Sequence, residues 1–257
     1  MHKRIISFTV VWVSILVGVI WAQDLTWEDI GRGNLNIQCI LIGPENSKII
    51  FAGSGGNVLK SNDSGESWRR VLAAKARGSK INVLVMEKNN CNVVYAATGN
   101  GLYRSSNLGE RWERIFRGKM EIENQCTTIL SKAQVIFVGT KAGLFISRDN
   151  GRSWYKQEIG IGNCSILNIE FGAGQNAAIY LAATSGIFKS LDDGKSWEKV
   201  FVSYSNSDSA EEMIEEEPDS PERLTDINFV KPDPHNSNLL YFSCVKGVYR
   251  SINQGQS

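Results

Sequence analysis

The feature that most constrains this chain is an internal repeat with two fixed spacings. An aromatic residue ends each of five short apolar stretches, and a serine follows it ten residues later. A tryptophan stands seven residues after each of the first four serines. The aromatic and serine pairs are Phe51 and Ser61, Tyr95 and Ser105, Phe137 and Ser147, Tyr180 and Ser190, and Tyr241 and Ser251. Repetition at a fixed period of this length predicts an array of similar supersecondary units.

The stretch before each serine alternates apolar and polar residues, which predicts a strand entered through a tight turn. A glycine holds the entry position in four units. These residues are Gly101, Gly143, Gly186 and Gly247. Asn57 replaces glycine in the first unit. Because asparagine is the non-glycine residue that best tolerates a left-handed backbone, we expect Asn57 to adopt that conformation.

The segments from serine to tryptophan predict five turns, called box turns below, at residues 61–68, 105–112, 147–154, 190–197 and 251–257. We expect an Asp or Asn side chain in each to accept hydrogen bonds from backbone amides of its own turn, and the following glycine to take a positive φ. These residues are Asp63, Asn107, Asp149, Asp192 and Asn253, followed by Gly65, Gly109, Gly151, Gly194 and Gly255. The tryptophans that we expect to bury their rings next are Trp68, Trp112, Trp154 and Trp197.

The box turns closely resemble the BNR or Asp-box motif, S-x-D-x-G-x-[ST]-W, of sialidases, sortilin-type receptors, xyloglucanases and photosystem II assembly or stability factors. The resemblance spans essentially all of residues 24–257. It implies an all-β fold, a β-propeller of four-stranded antiparallel blades in which the box is a structural hairpin away from most active sites. The departures are Asn107 and Asn253 at Asp positions, Arg111 where Ser or Thr is usual, and a fifth box without its tryptophan. In style the chain is most similar to exported propellers of the photosystem II assembly factor type.

Successive box tryptophans lie 44, 42 and 43 residues apart, which is the length of one four-stranded blade. We expect the aromatic stretch to form the second strand of a blade, the glycine-led stretch the third and the tryptophan stretch the fourth. Trp27 fits the fourth-strand pattern 41 residues before Trp68, so we expect it in a ring-closing outer strand. The five repeats fit either a small five-bladed ring or a truncated six- to eight-bladed propeller. The predicted first strands are 36–42, 81–86, 126–130, 166–171 and 226–230.

The N-terminus predicts export. A basic head and a 17-residue apolar run from Ile5 to Trp21 are typical of a secretory signal peptide, here residues 1–22, followed by the propeller at 23–257. An uncleaved membrane anchor through residues 5–21 is the alternative, since the run is at the lower limit of a membrane span. The expected location is therefore secreted or periplasmic.

Charge and cysteine usage exclude several classes of function. With 28 basic and 27 acidic side chains, the chain lacks the charge of a nucleic-acid-binding protein. Its five cysteines are too widely spread for a metal site, and we expect them to be mainly buried apolar side chains, with one or two disulfides left open. No cofactor or metal is expected. His235, the one histidine after the signal peptide, is expected in a surface loop.

Charge is distributed unevenly along the chain. Residues 203–222 carry eight acidic and no basic side chains, which predicts a flexible loop. We expect the loop on the face opposite the box turns, where connections between blades also place basic residues. These candidates for a partner-binding face are Lys75, Arg77, Lys80, Arg117, Lys119, Lys141 and Lys246. The hypothesis is a basic face partly covered by the acidic loop; the alternative is a solvated surface with a tolerated insertion.

The sequence favours a non-catalytic exported propeller that binds a protein or glycan partner. The alternative is a glycoside hydrolase of the sialidase or xyloglucanase type. No F/Y-R-I-P segment of the kind found in sialidases is present. A glycosidase also needs two carboxylates across a cleft. Among the carboxylates outside the box turns, Asp29, Glu170, Asp226 and Asp233 have no spacing that singles out a pair.

Overall fold

The computed structural model describes residues 36–74, 79–174, 177–202 and 227–256. These residues form five antiparallel sheets, four of four strands and one of three. Within every sheet the strands are neighbours in chain order, so each sheet is a simple meander and forms one blade. The predicted all-β propeller fold is confirmed.

The blades follow the repeat. Blade 1 contains β1 (Ile37–Ile42), β2 (Ile50–Ser54), β3 (Asn57–Ser61) and β4 (Arg69–Ala73). Blade 2 contains β5 (Ile81–Glu87), β6 (Asn90–Thr98), β7 (Gly101–Ser105) and β8 (Glu113–Phe116). Blade 3 contains β9 (Cys126–Lys132), β10 (Val135–Thr140), β11 (Gly143–Ser147) and β12 (Tyr155–Gln157). Blade 4 contains β13 (Ile166–Phe171), β14 (Ile179–Ala183), β15 (Gly186–Ser190) and β16 (Glu198–Val202). Blade 5 contains β17 (Ile227–Pro232), β18 (Leu240–Cys244) and β19 (Gly247–Ser251).

The strand order within each repeat is as predicted. The five predicted first strands are β1, β5, β9, β13 and β17, and each aromatic stretch is a second strand. The tryptophans of the box turns stand one residue before the fourth strands rather than inside them. One turn of 3-10 helix, Ile122–Asn124, lies between blades 2 and 3.

The hydrophobic core lies between successive blades. First strands contact each other in chain order, β1 with β5, β5 with β9, β9 with β13 and β13 with β17. Four apolar clusters fill the spaces between neighbouring blades. The aromatic residues of the second strands, Phe51, Tyr95, Phe137 and Tyr180, are at most 2% exposed. Burial of a side chain of this size stabilises the fold by about 2 kcal/mol. The repeated aromatic positions in the sequence are therefore the positions that pack between blades.

The backbone corrects one expectation. Gly101, Gly143, Gly186 and Gly247 have the expected positive φ, but Asn57 does not. In the first blade the left-handed residue is Gly55, with φ of 53°, inside the two-residue turn between β2 and β3. Because the neighbouring glycine supplies the turn, Asn57 starts its strand without strain. The prediction for Asn57 was wrong.

Several expectations lie outside the described residues. These are the signal peptide at 1–22, Trp27, Lys75, Arg77, the acidic segment 203–222 and the end of the fifth box turn at Ser257. In the ranges that are described, no helix has the length and apolar character needed to cross a membrane. All five cysteines are free thiols: Cys126 and Cys244 are buried, and Cys39, Cys91 and Cys164 are half-buried.

Candidate partner-binding groove and the box turns

Each box turn is closed by its own hydrogen bonds. In the first, Ser61 Oγ donates to Asp63 Oδ1 at 2.7 Å and accepts from the amide of Gly65 at 2.8 Å. Asp63 also accepts from the amide of Ser67 at 2.9 Å. The same bonds surround Asp149 and Asp192.

These bonds hold the three box carboxylates in their charged form. Hydrogen bonds, led by the hydroxyls of Ser67 and Ser153, lower the pKa of Asp63 and Asp149 to about 2. The hydroxyl and amide of Ser196 lower the pKa of Asp192 to the same value. A carboxylate that is bonded within its own turn and ionised at neutral pH is a poor general acid. Each box aspartate is therefore engaged in hydrogen bonds within its own turn.

The two asparagine boxes have the same geometry. Asn107 Oδ1 accepts from Ser105 Oγ at 2.9 Å and from the amide of Arg111 at 2.8 Å. Asn253 Oδ1 accepts from Ser251 Oγ at 2.8 Å. The turn needs one side-chain carbonyl oxygen, which Asn supplies as well as Asp, and Arg111 contributes only its backbone. This explains why the turn tolerates asparagine at the aspartate position and arginine at the position where Ser or Thr is usual.

The box turns also join neighbouring blades. Lys60 Nζ donates to the carbonyl of Leu108 at 2.8 Å, from blade 1 to the box turn of blade 2. The equivalent bonds link Arg104 to the Asn150 carbonyl, Arg148 to the Asp193 carbonyl, and Lys189 to the Gln254 side chain, at 2.7 to 3.1 Å. In three of these blades the Lys or Arg stands just before the serine of the box turn. This repeated basic residue is visible in the sequence, but the sequence analysis did not identify it as a link between blades.

Four of the seven candidate basic residues line one groove of about 660 Å³ between blades 2 and 3. They are Lys80, Arg117, Lys119 and Lys141. The groove lies at the opposite ends of the strands from the box turns, since it is formed by the β6–β7 turn, the β10–β11 turn and the β8–β9 connection. These four residues therefore lie on the side of the blades away from the box turns.

The β8–β9 connection is held in shape by hydrogen bonds to the buried Glu123 and the half-buried Asn124. Glu123, only 6% exposed, accepts from the amides of Lys119 and Met120 at 2.6 and 3.0 Å. Asn124 Oδ1 accepts from the amide of Gly118 and from Arg114 Nη2, both at 3.0 Å. These bonds fix the backbone that carries Arg117 and Lys119. Arg114, Glu123 and Asn124 were not anticipated from the sequence.

The groove has a strongly positive character. Its lining contains the four candidate residues and Arg114, with Glu121 as the one carboxylate among the described lining residues. The four candidates are exposed, and none of them forms an ion pair with a described residue. Lys246 lies in the β18–β19 turn of blade 5, one residue later in that turn than Lys141 in the β10–β11 turn of blade 3, and does not line the groove.

Two of the four carboxylates considered for glycosidase chemistry are engaged in other contacts. Glu170 pairs with Lys231 at 3.0 Å. Asp233 accepts from the amides of His235 and Asn236 at 2.8 and 2.9 Å, and these bonds lower its pKa. His235 is exposed in a loop on the box-turn side, as expected. Asp29 and Asp226 lie outside the described residues. In the described part of the chain no cluster of three potential metal ligands exists.

Solved structures share this fold. No known family model matches the sequence, and neither does any curated protein. The GH74 enzyme of Niastella koreensis has a TM-score of 0.63 at 19% identity, over 86% of this chain and 37% of its own. The extracellular domain of the hybrid two-component system BT4673 of B. thetaiotaomicron has a TM-score of 0.61 at 16% identity, over 86% of this chain and 26% of its own. YCF48 of Cyanidioschyzon merolae has a TM-score of 0.55 at 13% identity, over 84% of this chain and 67% of its own.

YCF48 bound to D1 peptide is also similar, with a TM-score of 0.50 at 12% identity over 87% of this chain and 81% of that one. The chain spans about a third of the GH74 enzyme's length. At these identities the similarity shows the fold and not the activity. Enzymes and YCF48 share the architecture, and the chain is a β-propeller.

Proposed function

We propose that this protein is an exported, non-catalytic propeller of the BNR/Asp-box superfamily that binds an acidic segment of a partner protein. The observation that carries the proposal is the groove between blades 2 and 3. Four exposed cations face one space of about 660 Å³, which is within the size range of ligand sites. Lys and Arg at such a surface attract a negatively charged partner and set its orientation.

Preorganisation of the groove supports binding. Glu123 and Asn124 hold the loop through four bonds to Gly118, Lys119, Met120 and Arg114. A partner therefore meets cations on a fixed backbone, which lowers the ordering cost of association. YCF48, bound to D1 peptide in one solved structure, offers a precedent for peptide binding by this fold.

The location outside the cytoplasm rests on the predicted signal peptide at residues 1–22. Three similar structures, from two proteins, are extracellular domains, which agrees with that location.

A glycoside hydrolase is the second candidate, since GH74 enzymes have the same architecture. Hydrolysis requires two carboxylates facing the scissile bond. The groove offers Glu121 without a second carboxylate among its described lining residues. Binding of an acidic ligand requires only the cations that are present.

The test compares two peptides and two variants by fluorescence anisotropy. A short Glu-rich peptide should bind, and the matched Gln peptide should not. The double variant Arg117→Glu/Lys119→Glu should lose at least about tenfold in affinity. The control Arg152→Glu/Lys195→Glu makes the same charge change at exposed residues of the box turns and should bind like the wild type.

Two results would overturn this function. One is equal loss of affinity in both double variants, which would show that the net charge of the protein, and not the groove, determines binding. The other is release of reducing sugar from xyloglucan or a sialoside by the wild type, abolished by Glu121→Gln, which would make the protein a glycosidase.

A further inference from the structure

A second cavity lies at the opposite ends of the strands from the groove. It has a volume of about 440 Å³ and lies between blades 2 and 3 on the box-turn side. The β5–β6 turn, the β9–β10 turn and the box turns of blades 2 and 3 contribute its walls. Among the described lining residues, Glu87 is the one acid and Arg104 the one base. We call this space the Glu87 cavity.

Glu87 is buried and has few partners. It ends strand β5 and is 9% exposed. Within the described structure its carboxylate has one hydrogen bond, a long one, in which the Tyr95 hydroxyl donates to Glu87 Oε2 at 3.4 Å. It forms no ion pair with a described residue. Because an ionised carboxylate can accept about four hydrogen bonds, most of the acceptor positions of Glu87 are unfilled.

Arg104 does not neutralise this carboxylate. Its Nε donates to Glu113 Oε1 at 3.0 Å, and its Nη1 donates to the carbonyl of Asn150 at 2.7 Å. Glu113 therefore balances the charge of Arg104, which leaves the charge of Glu87 uncompensated. Burial, together with the nearby charge of Glu87, raises the pKa of Tyr95 to about 12, so this hydroxyl remains a donor at neutral pH.

The fold does not require a carboxylate at this position. Strand pairing places Glu87 level with Gly43 of blade 1 and Gly172 of blade 4. Both glycines start the connection to the second strand through an amide bond, to the carbonyls of Ile49 and Ala178 at 2.8 and 2.7 Å. Two blades thus make this connection without any side chain. Since an unpaired buried charge opposes folding, the carboxylate of Glu87 indicates a role in binding a ligand.

The lining favours one class of ligand. An anion would be repelled by Glu87, and a calcium ion takes about six to eight oxygen ligands, which one carboxylate does not provide. An alkylammonium group is a compact donor that needs one charged acceptor and a few uncharged oxygens. Val93, Tyr95 and Ala133 supply apolar surface for its carbon chain. The uncharged polar residues of the lining are Asn89, Asn90, Ser106 and Asn150.

We propose that the Glu87 cavity binds a primary alkylammonium group, with Glu87 as its charged acceptor and Val93 and Ala133 against its carbon chain. A lysine side chain of a partner protein and a free diamine share this chemistry. An ammonium and a carboxylate form charge-assisted hydrogen bonds, which are stronger in a partly enclosed site than in water. The cavity is opposite in charge to the groove, so the Glu-rich peptide should not occupy it. The inference therefore goes beyond the proposed function and does not depend on it.

The test follows the methyl resonances of Val93 and Ala133 by NMR during titration with Nα-acetyl-lysine amide. The matched probe, Nα-acetyl-norleucine amide, has the same carbon chain without the ammonium group. The lysine probe should shift both methyl resonances to saturation and leave Val138, which is fully buried in the core, unchanged. The norleucine probe should shift none of them. A titration with pentane-1,5-diamine identifies the source: tighter binding of the diamine indicates a free amine, and tighter binding of the lysine probe indicates a partner protein.

Three variants make the test specific. Glu87→Gln keeps the shape of the side chain without its charge and should weaken binding of the lysine probe at least about tenfold. Glu87→Gly gives blade 2 the residue of blades 1 and 4, so it should fold and show a loss at least as large. Glu66→Gln makes the same charge change at an exposed residue of the first box turn and should bind like the wild type.

Four results would overturn the proposal. The first is equal binding of the lysine and norleucine probes, and the second is unchanged affinity in Glu87→Gln. The third is an equal loss in Glu66→Gln, which would assign the effect to net charge. The fourth is binding of Ca²⁺ that Glu87→Gln abolishes, which would make the cavity a metal site.

Discussion

The two ends of the strands differ in regularity. At one end all five box turns repeat one bond, in which the glycine amide donates to the serine Oγ at 2.7 to 2.8 Å. At the other end the connections differ from blade to blade, and the connection between blades 2 and 3 contains a 3-10 turn and a basic loop. The regular end joins the blades to one another. The connections at the irregular end do not join the blades in a repeated way, so their sequences can vary between blades and form a binding site.

The largest effect on stability is expected at a box glycine. A Cβ on Gly194 would lie 2.4 Å from Phe137 Cε1 of the preceding blade, and its φ is 77°. Gly194→Ala should cost about 3 kcal/mol in the free energy of unfolding, because backbone strain and steric overlap add. Gly162 has a φ of 73° with no atom within 4 Å of such a Cβ, so Gly162→Ala should cost about 1 kcal/mol. Urea unfolding measures the free energy of both variants. Equal losses in the two variants would contradict the packing of the box glycine against the ring of the preceding blade.

A smaller effect is expected at a box aspartate. Asp192→Ala removes the acceptor for the Ser196 and Lys195 amides and should cost about 1 kcal/mol. Asp192→Asn should cost much less, because Asn107 holds the same turn in blade 2. Thermal unfolding distinguishes the two variants. If Asn were as damaging as Ala, the charge rather than the carbonyl oxygen would hold the turn.

The smallest of the three stability effects is an acid dependence. The pKa of Asp63, Asp149 and Asp192 is lowered to about 2 in the folded chain, against an ordinary value near 3.9. Their contribution is complete above about pH 4 and is lost as pH falls towards 2. A triple Asp→Asn variant should show a weaker loss of unfolding free energy between these pH values. An identical pH profile in both proteins would show that the box carboxylates do not drive it.

The sequence predicts the regular end well and the irregular end poorly. Spacing alone located the strands and the box turns, because the first four repeats each bury one second-strand aromatic residue. The role of Gly109 and Gly194 in accepting a ring of the previous blade needs the relative position of two blades, which one repeat does not encode.

The groove shows a second limit. Lys80 and Lys141 lie 61 residues apart in sequence, and only blade geometry brings them together. Glu123 was not singled out from the sequence, and the structure places it buried under the basic loop.

The most direct test of a binding end and a structural end is hydrogen exchange with and without the Glu-rich peptide. The account predicts slower exchange in segments 79–82, 117–127 and 140–142, which contain groove-lining residues, and no change in the box turns at 61–68, 105–112 and 147–154. Protection confined to the box turns, with the groove segments unchanged, would contradict it.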